Sequence, residues 1–362
     1  FNTIDINNNV TIFQSTKTEK QEKTMPVVTL KDIANLVGVS VNTVSRGLKD
    51  KPDIGLKTRQ RIKEAAAALG YRPNLNARSL VLQKTSTIGV AVTEMDNPVR
   101  MEFCEKLRVR AERDGYRLLT TSLAQNDEQE WSTGNTGSIE DLLARRVDGL
   151  IIGTIWGLTG EQPLGPLLKE CRQTETPVVV FGTPETELAD CIEIDFFDSG
   201  YRLTEHLIRK GYRSISYFGK PDDARFEGYE KAMKDHGLEQ WFRIWNHPAN
   251  RLRVGQDTMN LYLEQNSRPP QAIVASNDLG AIGIISSLKK HGLRVPQDCA
   301  VAGFDNIAIG EFIDPPLTSI GFDNNTFADA VWNMMIRRLR KLETGPAQKI
   351  TLNQELVIRE SC

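Results

Sequence analysis

The sequence of 362 residues holds few cysteines and few histidines, and neither residue type is spaced like a metal site. The five cysteines are odd in number and widely scattered, which argues against a disulfide framework and favours a reducing cytosol. The residues concerned are Cys104, Cys171, Cys191, Cys299 and Cys362, with His206, His236, His247 and His291. We therefore expect neither a bound metal nor a cofactor.

Long apolar runs are also missing, and no stretch of the sequence is apolar enough to cross a membrane. The chain carries no glycine-rich phosphate loop and no nucleophile elbow, which are motifs of many α/β enzymes. With 40% hydrophobic residues it can still bury sizeable cores, and its length suggests two or three folded units. These features predict a cytoplasmic protein that is not an enzyme.

Between residues 29 and 48 the sequence predicts two short helices joined by a tight turn. Gly38 allows the turn because it adopts positive φ without steric cost, and Ser40 can cap the second helix. Val44 and Leu48 face inward on that second helix. The first helix has apolar residues at helical spacing, namely Leu30, Ile33, Ala34 and Val37. This arrangement predicts a helix-turn-helix, whose second helix presents its N-terminal residues to base edges in the major groove.

A third helix is predicted from about Leu56 to Leu69, and Gly70 ends it as a left-handed cap. Its exposed face is basic and suits DNA phosphates, although such a face is often simply solvated. The basic residues are Lys57, Arg59, Arg61 and Lys63.

Charge is divided unevenly along the chain. Residues 25–84 hold 11 basic and 4 acidic side chains, whereas residues 85–362 hold 31 basic and 40 acidic ones. A basic module joined to an acidic body concentrates the attraction for phosphates at one end. We therefore expect DNA binding to weaken steeply with salt through counterion release.

The opening residues 1–24 are polar and lack helical periodicity. They also lack the basic start and apolar core of a secretory signal. We expect a disordered extension or a start-site artefact, because Met25 stands directly before the first folded pattern. A less favoured alternative is an arm that contacts DNA.

After Lys84 short apolar runs alternate with amphipathic helices. This alternation predicts parallel, doubly wound sheets, and two series in succession predict two similar Rossmann-like lobes. One large α/β enzyme domain is the alternative architecture. The predicted strands are 88–92, 118–121, 149–152, 178–181, 215–218, 272–275 and 300–303, and the predicted helices are 101–114, 199–209, 226–236 and 279–291.

The first part of the chain contains an ordered set of motifs, namely Thr29-Leu30-Lys31-Asp32-Ile33-Ala34, Gly38-Val39-Ser40, Thr43-Val44-Ser45-Arg46, Leu69-Gly70-Tyr71, Pro73-Asn74 and Ala77-Arg78-Ser79-Leu80. With these motifs, the chain from about Val28 to Glu360 resembles the lac-repressor (LacI/GalR) family. Gly47 departs from the β-branched or small residue that the family usually has there, and it should weaken its helix slightly.

The resemblance implies a domain organisation. Residues 25–72 would form an all-α helix-turn-helix headpiece, residues 73–84 a hinge helix and linker, and residues 85–362 an α/β effector and dimerisation domain. That domain would have two lobes, as in periplasmic sugar-binding proteins. Lobe 1 is expected to comprise about 85–195 and 323–345, and lobe 2 about 196–322 and 346–362.

The resemblance also implies how the DNA-binding residues act. Val41, Asn42 and Arg46 would read bases in the major groove, and the hinge helix would wedge Leu80 into the minor groove at the operator centre. The full predicted set is Thr29, Leu30, Ser40, Val41, Asn42, Thr43, Ser45, Arg46, Asn74, Ala77, Arg78 and Leu80.

Polar residues that follow the predicted strands are candidates for an effector site, because ligands of parallel sheets bind beyond the carboxyl ends of strands. The candidates are Asn97, Arg100, Trp156, Asp195, Arg225, Asn277 and Asp305. The resemblance implies that Arg225, Asn277 and Asp305 bind ligand hydroxyls, with Asp195 near the cleft. Helix capping is the alternative for Asn277 and Asp305, and a surface ion pair is the alternative for Arg225. For Trp156, the alternative to ligand binding is a position in a hydrophobic core.

The effector class is predicted from aromatic residues that are missing. Val99 and Arg100 follow Asn97-Pro98 where the family often has two aromatics, and residues 245–254 lack the expected stacking aromatic. The pocket is therefore expected to rely more on charge than on stacking. We expect a sugar acid or sugar phosphate held by Arg100 and Arg225. A neutral sugar is the alternative, with Arg100 then pointing into solvent.

These patterns predict a nucleoid-associated repressor that binds a palindromic operator as a homodimer. A small-molecule effector would act by preferring one arrangement of the two lobes. Helices 101–114 and 279–291 are candidate interfaces, and no leucine heptads follow Glu360, which favours a dimer over a tetramer. A protein co-regulator in place of the effector is the closest alternative. The headpiece and the missing catalytic motifs disfavour a transport-type solute-binding protein and an α/β enzyme.

Overall fold

The computed structural model describes residues 2–6, 10–14, 28–72, 79, 84–93, 95, 97–123, 137–153, 164–182, 186–221, 224–241, 243–245, 251–266 and 268–362. The chain divides into two units, Phe1–Val81 and Leu82–Cys362. Five residues of the predicted sites lie outside the described residues, namely Asn74, Ala77, Arg78, Leu80 and Trp156. Within the described part, no helix is long and apolar enough to span a membrane.

The first unit begins with an antiparallel hairpin. Strand β1 (Asn2–Ile6) pairs with strand β2 (Val10–Gln14). The prediction that residues 1–24 are disordered is therefore wrong for these two strands. Ile4 and Ile6 alternate with polar residues, and this period of two indicates a strand rather than a helix.

Three helices form the headpiece around a small apolar core. Helix α1 (Leu30–Val37) is followed by Gly38, whose φ of 75° supplies the turn into helix α2 (Val41–Leu48). The Thr43 backbone N–H donates to Ser40 Oγ at 3.1 Å and caps α2. Helix α3 (Leu56–Ala68) packs against both. The core residues are Ile33, Ala34, Val37, Val44, Ile62, Ala65 and Ala66. The predicted helices and the Ser40 cap are confirmed.

Gly47 is buried where α2 packs against α3. A Cβ atom at this position would lie 2.6 Å from Ile62 Cδ1. The lack of a side chain therefore allows close packing of the two helices, which offsets the low helix propensity of glycine. The sequence pattern predicted only the unfavourable part of this balance.

In the second unit, lobe 1 is a parallel sheet flanked by helices. Its elements are β3 (Thr87–Val92), α4 (Pro98–Arg113), β4 (Arg117–Ser122), α5 (Gly137–Ala144), β5 (Gly149–Gly153), α6 (Leu164–Gln173), β6 (Val178–Phe181), β7 (Asp190–Ile194), α11 (Asn324–Leu339) and β13 (Lys349–Leu352). The strand order is β13-β7-β6-β5-β3-β4. Apolar residues from α4 and α11 cover one face of this sheet, and those from α5 and α6 cover the other.

Lobe 2 repeats the architecture with one antiparallel edge. Its elements are α7 (Phe196–Arg209), β8 (Ile215–Phe218), α8 (Ala224–Asp235), β9 (Arg243–Trp245), α9 (Leu252–Gln265), β10 (Ala272–Ala275), α10 (Asp278–Lys290), β11 (Ala300–Phe304), β12 (Thr318–Gly321) and β14 (Glu355–Val357), with 3-10 turns at Glu239–Trp241 and Ala308–Glu311. The strand order is β14-β12-β11-β10-β8-β9, and only the β12–β14 pair of the described ladders in this sheet is antiparallel. The two separate sheets form two doubly wound lobes, so the alternative of one large α/β enzyme domain is wrong.

The described chain passes between the lobes at three places. Asp195 follows the carboxyl end of β7, and Asp323 follows that of β12. The carboxyl edges of the two sheets therefore face each other across a cleft. The predicted third crossing near residue 345 is wrong, because β13 pairs with β7 and extends lobe 1 to Leu352. As a largely exposed edge strand, β13 lacks the apolar pattern that reveals a central strand.

Candidate functional site

Helix α2 exposes the three residues that were predicted to read bases, two in its first turn and one in its last turn. Val41 is 44% exposed, and Asn42 and Arg46 are also exposed. Ser45 is half-buried, and Val44 is fully buried in the headpiece core. The helix therefore has one face fixed by packing and another face accessible to a duplex.

Arg46 is held by an acid that the sequence analysis did not identify. Its Nε and Nη2 atoms each lie 2.7 Å from a carboxylate oxygen of Asp53. This hydrogen-bonded pairing lowers the pKa of Asp53 and raises the pKa of Arg46. Both side chains are about half exposed, and such pairs are weak because water screens them. Asp53 can therefore orient Arg46 in free protein and release it to a base or a phosphate.

The start of α1 is organised by Thr29. Its backbone N–H and its hydroxyl donate to Asp32 Oδ2 at 2.8 and 2.7 Å, and these bonds lower the pKa of Asp32. Thr29 itself is exposed, whereas Leu30 packs against the headpiece core. A DNA contact by Leu30 would thus compete with its packing.

The basic face of α3 is partly structural. Arg59 is half-buried and donates to two backbone carbonyls of the preceding loop at 3.0 Å, so its predicted exposure is wrong. Arg61 donates to the Val37 carbonyl at 3.0 Å. Lys57 and Lys63 remain exposed. Two of the four cations therefore tie the headpiece together.

Arg225 is the central cation of the candidate effector site. It lies in the first turn of α8 and is only 7% exposed, which does not fit the surface ion pair considered from sequence. Its guanidinium carbon lies 4.1 Å from the centre of the Phe196 ring and 5.2 Å from that of Phe304. Phe196 follows Asp195, and Phe304 precedes Asp305. Arg225 therefore shares one neighbourhood with both acids.

Asp305 has an unusual backbone conformation. Its φ is 105°, a region that non-glycine residues rarely adopt and that often marks functional sites. Its N–H donates to the Ile320 carbonyl at 2.9 Å. Ile307, not Asp305, occupies the cap position of the following 3-10 turn, so the helix-cap alternative is wrong here.

The strained loop after β11 is held by Asp278, which was not among the residues predicted from the sequence. Asp278 is 1% exposed; its Oδ2 accepts the Ile307 N–H at 2.9 Å, and its Oδ1 accepts the Ser319 hydroxyl at 2.7 Å. Burial and the nearby charge of Asp305 raise the pKa of Asp278 well above its usual range. Asp278 thus links α10 to the loop that carries Asp305.

Three other predicted site residues act as helix N-caps. Asn97, Asp195 and Asn277 each use a side-chain oxygen to accept a backbone N–H, so the capping role considered for Asn277 is confirmed. The donors are Val99, Asp198 and Gly280, at 3.0, 2.8 and 2.8 Å. Asp195, Asn277, Arg225 and Asp305 gather in lobe 2, whereas Asn97 and the half-buried Arg100 lie in lobe 1 at the start of α4.

The described residues contain no group of His, Cys, Asp and Glu side chains that could hold a metal ion. Burial raises the pKa of the Cys104 and Cys171 thiols to about 11, so both stay protonated at neutral pH. A protonated thiol is a poor nucleophile.

The start of lobe 1 is attached through Asp148, which the sequence analysis also missed. Its Oδ1 accepts the Thr85 N–H at 2.7 Å and the Thr85 hydroxyl at 3.0 Å, and its Oδ2 accepts the Ser86 N–H at 3.0 Å. The Thr85 hydroxyl also lies 3.0 Å from the Arg146 carbonyl. Asp148 thereby fixes the point at which the linker reaches lobe 1.

A helix-turn-helix unit and a two-lobed ligand-binding body define the class of ligand-responsive transcription regulators. Residues 29–74 match the model of bacterial regulatory proteins of the lacI family, and residues 204–362 match a periplasmic binding protein-like domain. The HTH-type transcriptional repressor PurR of Haemophilus influenzae (strain PittEE) is 31% identical over 345 residues, which covers 92% of this chain and 98% of that protein. PurR of Pasteurella multocida (strain Pm70) is 30% identical with the same coverage.

Solved structures agree with this fold. The lac repressor dimer bound to operator and the anti-inducer ONPF matches with a TM-score of 0.76 and 24% identity, over 92% of this chain and 98% of that chain. The transcriptional regulator CelR in complex with cellobiose matches with a TM-score of 0.63 and 25% identity, over 92% of this chain and 100% of that chain. The protein belongs to the LacI family. It is a transcriptional repressor with a DNA-binding domain and an effector-binding domain, and it is not an enzyme.

Proposed function

We propose that the protein binds a palindromic operator as a homodimer, and that a small polar effector in the interlobe cleft controls this binding. The exposed face of α2 supports the first part, because Asn42 can pair with adenine and Arg46 with guanine or phosphate. A two-fold dimer presents two such helices and therefore selects two inverted half-sites.

Selection of duplexes from a random-sequence library by the full-length protein tests operator binding. An inverted repeat is the expected product. Asn42→Ala should lose about 1–3 kcal/mol of discrimination at one base position in each half-site. Enrichment of single, unrepeated sites would contradict the dimer, and no enrichment would contradict operator binding itself.

Exposed apolar side chains support the dimer. On α4, Met101 and Val109 are 58% and 52% exposed and lie two turns apart on one helix face. In lobe 2, Ile309 and Phe312 are 52% and 77% exposed. The other helix suggested from sequence, residues 279–291, exposes no large apolar side chain, so we propose the turn with Ile309 and Phe312 in its place.

Phe312→Ser should weaken this dimer. Burying one phenylalanine side chain contributes about 1.5–3 kcal/mol, and a symmetric interface buries two. The dimer dissociation constant should therefore rise by about 100-fold or more, as measured by sedimentation equilibrium. Leu342→Ser is the matched control, because Leu342 is 65% exposed outside the proposed interface. Equal effects of both substitutions would contradict the assignment.

The burial of Arg225 and its stacking on Phe196 are the observations that carry the effector proposal. A nearly buried guanidinium stacked on Phe196 is oriented to bind a planar anionic group, and Asp195 and Asp305 can accept ligand hydroxyls. The capped N-termini of α4, α7 and α10 lie at the carboxyl edges of the two sheets and also favour negative charge. We therefore propose a sugar acid or a sugar phosphate.

A thermal-shift panel of neutral sugars, sugar acids, sugar phosphates and nucleobases tests the effector class. A ligand that binds only the folded state raises its apparent stability, and Arg225→Lys should abolish the shift given by an acidic ligand. The CelR complex contains cellobiose, a neutral sugar, and a response to neutral sugars alone would contradict the anionic class. No response to the whole panel would favour a protein co-regulator.

An effector can shift the repressor only through its different affinities for the two lobe arrangements. The three crossings between the lobes allow such a rearrangement while keeping both sheets intact. Small-angle scattering with and without the stabilising ligand should therefore detect a change in the distance between the lobes. An unchanged profile would contradict lobe movement.

A further inference from the structure

One edge of the lobe 1 sheet is basic although the body around it is acidic. At this edge the strands begin and the helices α4, α5, α6 and α11 end. The basic edge, as we define it, consists of the exposed side chains of Arg113, Arg117, Arg145, Arg146, Arg172, Arg337, Arg340 and Lys341. Residues 85–362 as a whole carry 31 basic and 40 acidic side chains, so this concentration is local.

Hydrogen bonds within lobe 1 place part of the basic edge beside the first residues of the lobe. Arg117 donates its N–H to the Ser86 carbonyl at 2.9 Å, and the Arg146 carbonyl accepts the Thr85 hydroxyl. Asp114, next to Arg113, accepts a hydrogen bond from Arg340 at 2.5 Å. Arg117 and Arg146 therefore lie beside the point where the linker joins lobe 1.

Acidic residues at this edge neutralise only part of its charge. Asp148 is occupied by the Thr85 and Ser86 N–H groups, and the buried Asp190 pairs with Arg338 at 2.7 Å. Asp114 and Glu175 pair with Arg340 and Lys341. By contrast, five of the cations form no ion pair with any described residue, namely Arg113, Arg117, Arg145, Arg146 and Arg172.

The chain connects the headpiece to this edge through a short linker. Twelve residues, 73–84, separate Arg72 from Thr85. An extended chain of this length spans at most about 45 Å. Asp148 fixes the other end beside Arg117 and Arg146 through its bonds to Thr85 and Ser86. A duplex held by the headpiece is thus tethered near unpaired cations, and it carries one phosphate charge per about 1.7 Å of its axis.

We propose that the basic edge binds the phosphate backbone of the DNA that the headpiece holds. This inference rests on the DNA-binding function and adds a second, sequence-independent contact from the effector body. Phosphate contacts stabilise a complex without specifying bases. The basic edge should therefore strengthen the binding of operator and random DNA to the same degree.

The test compares two triple variants of the full-length protein. Arg117→Gln/Arg145→Gln/Arg146→Gln removes three unpaired cations from the basic edge. Lys220→Gln/Arg268→Gln/Lys290→Gln removes the same charge from exposed positions in lobe 2. Binding to a duplex selected by the wild-type protein, and to a scrambled duplex of the same length, is measured by fluorescence anisotropy at several salt concentrations.

The slope of log K against log salt should become shallower by about 0.9 for each phosphate that the variant no longer neutralises, up to about 2.7 for the basic-edge variant. The ratio of affinities for the two duplexes should stay unchanged, as should the slope of the lobe 2 variant. An unchanged slope in the basic-edge variant, or an equal change in both variants, overturns the inference. If the triple variant does not fold, Arg145→Gln and Arg146→Gln are measured singly, each with an expected change of about 0.9.

Failure of this inference differs from failure of the proposed function. If the wild-type protein selects no duplex, operator binding is wrong and the basic edge has no role. If it selects a duplex and the basic-edge variant binds both duplexes with the wild-type slope, only the second DNA-binding surface is wrong.

Discussion

Asp148→Asn should loosen the attachment of the linker to lobe 1. In the native protein the two carboxylate oxygens accept the N–H groups of Thr85 and Ser86 at 2.7 and 3.0 Å. An asparagine keeps one acceptor oxygen, but its amide group would face the second N–H as a donor. The variant therefore lacks at least one charge-assisted hydrogen bond, and one N–H group is left without an acceptor.

The size of this effect follows from the strength of such bonds. A hydrogen bond to a charged group contributes about 1.5–3 kcal/mol, and every 1.4 kcal/mol is a tenfold change in an equilibrium constant. Local opening of the chain at Thr85 should thus become about 10- to 150-fold more frequent. The free energy of global unfolding should change less, because the β3 ladders remain intact.

Trypsin measures this opening directly. The Lys84–Thr85 bond follows a lysine, and its N–H is the group that donates to Asp148 Oδ1. Under limiting protease the cleavage rate tracks the open population, so cleavage after Lys84 should accelerate by the factor above. Asp141→Asn is the matched control, because Asp141 is an exposed carboxylate on α5. A cleavage rate within about twofold of wild type would refute the role assigned to Asp148, given a predicted change of at least tenfold.

Three further substitutions test other parts of the structure. Asp278→Asn should flatten the pH dependence of the free energy of unfolding. Because the pKa of Asp278 is raised in the folded protein, its carboxyl group ionises at lower pH in the unfolded chain. The free energy of unfolding of the wild type therefore falls by up to about 1.4 kcal/mol per pH unit as the pH rises from the unfolded pKa of this group towards its folded pKa. Urea titrations between pH 4 and 8 measure this, and parallel curves would contradict it. Gly200→Ala should destabilise lobe 2 by about 1–3 kcal/mol in thermal or urea unfolding, since the new Cβ would overlap the Arg225 carbonyl; wild-type stability would contradict the close approach. Ser40→Ala should cost the headpiece about 1 kcal/mol through loss of the α2 cap, and an unchanged melting curve of the headpiece helices by circular dichroism would argue against it.

Several central strands could be predicted closely from the sequence. The segments Val178–Phe181, Ile215–Phe218 and Ala272–Ala275 agree with the structure to the residue, because a strand buried on both faces is a short, mainly apolar run between turn-forming or polar residues. The edge strand Arg117–Ser122 was predicted as residues 118–121, but other edge strands were not. The short strand Arg243–Trp245 and the exposed strand Lys349–Leu352 were missed, since partial burial leaves no clear period in the sequence.

The candidate site likewise has a part that could be predicted from the sequence and a part that could not. Arg225 and Asp305 could be placed at the cleft because a residue's position after a strand or at the start of a helix is local information. The partners that orient them were not predictable. Asp278 contacts Ser319 across 41 residues, and Asp148 contacts Thr85 across 63. Contacts between residues so far apart in the sequence leave no periodic pattern from which they could be predicted.

The sequence by itself determined the helices and the turn of the headpiece, several central strands of both lobes, the charge division and the family. These depend on local periodicity, on residue types and on composition, all of which are present in the linear chain. Only the tertiary structure decided which acids hold Arg46 and the linker, why Gly47 is tolerated, and that scattered arginines gather on one edge. Strand order and helix direction bring such residues together, and that order is fixed by packing of the whole domain rather than by any segment.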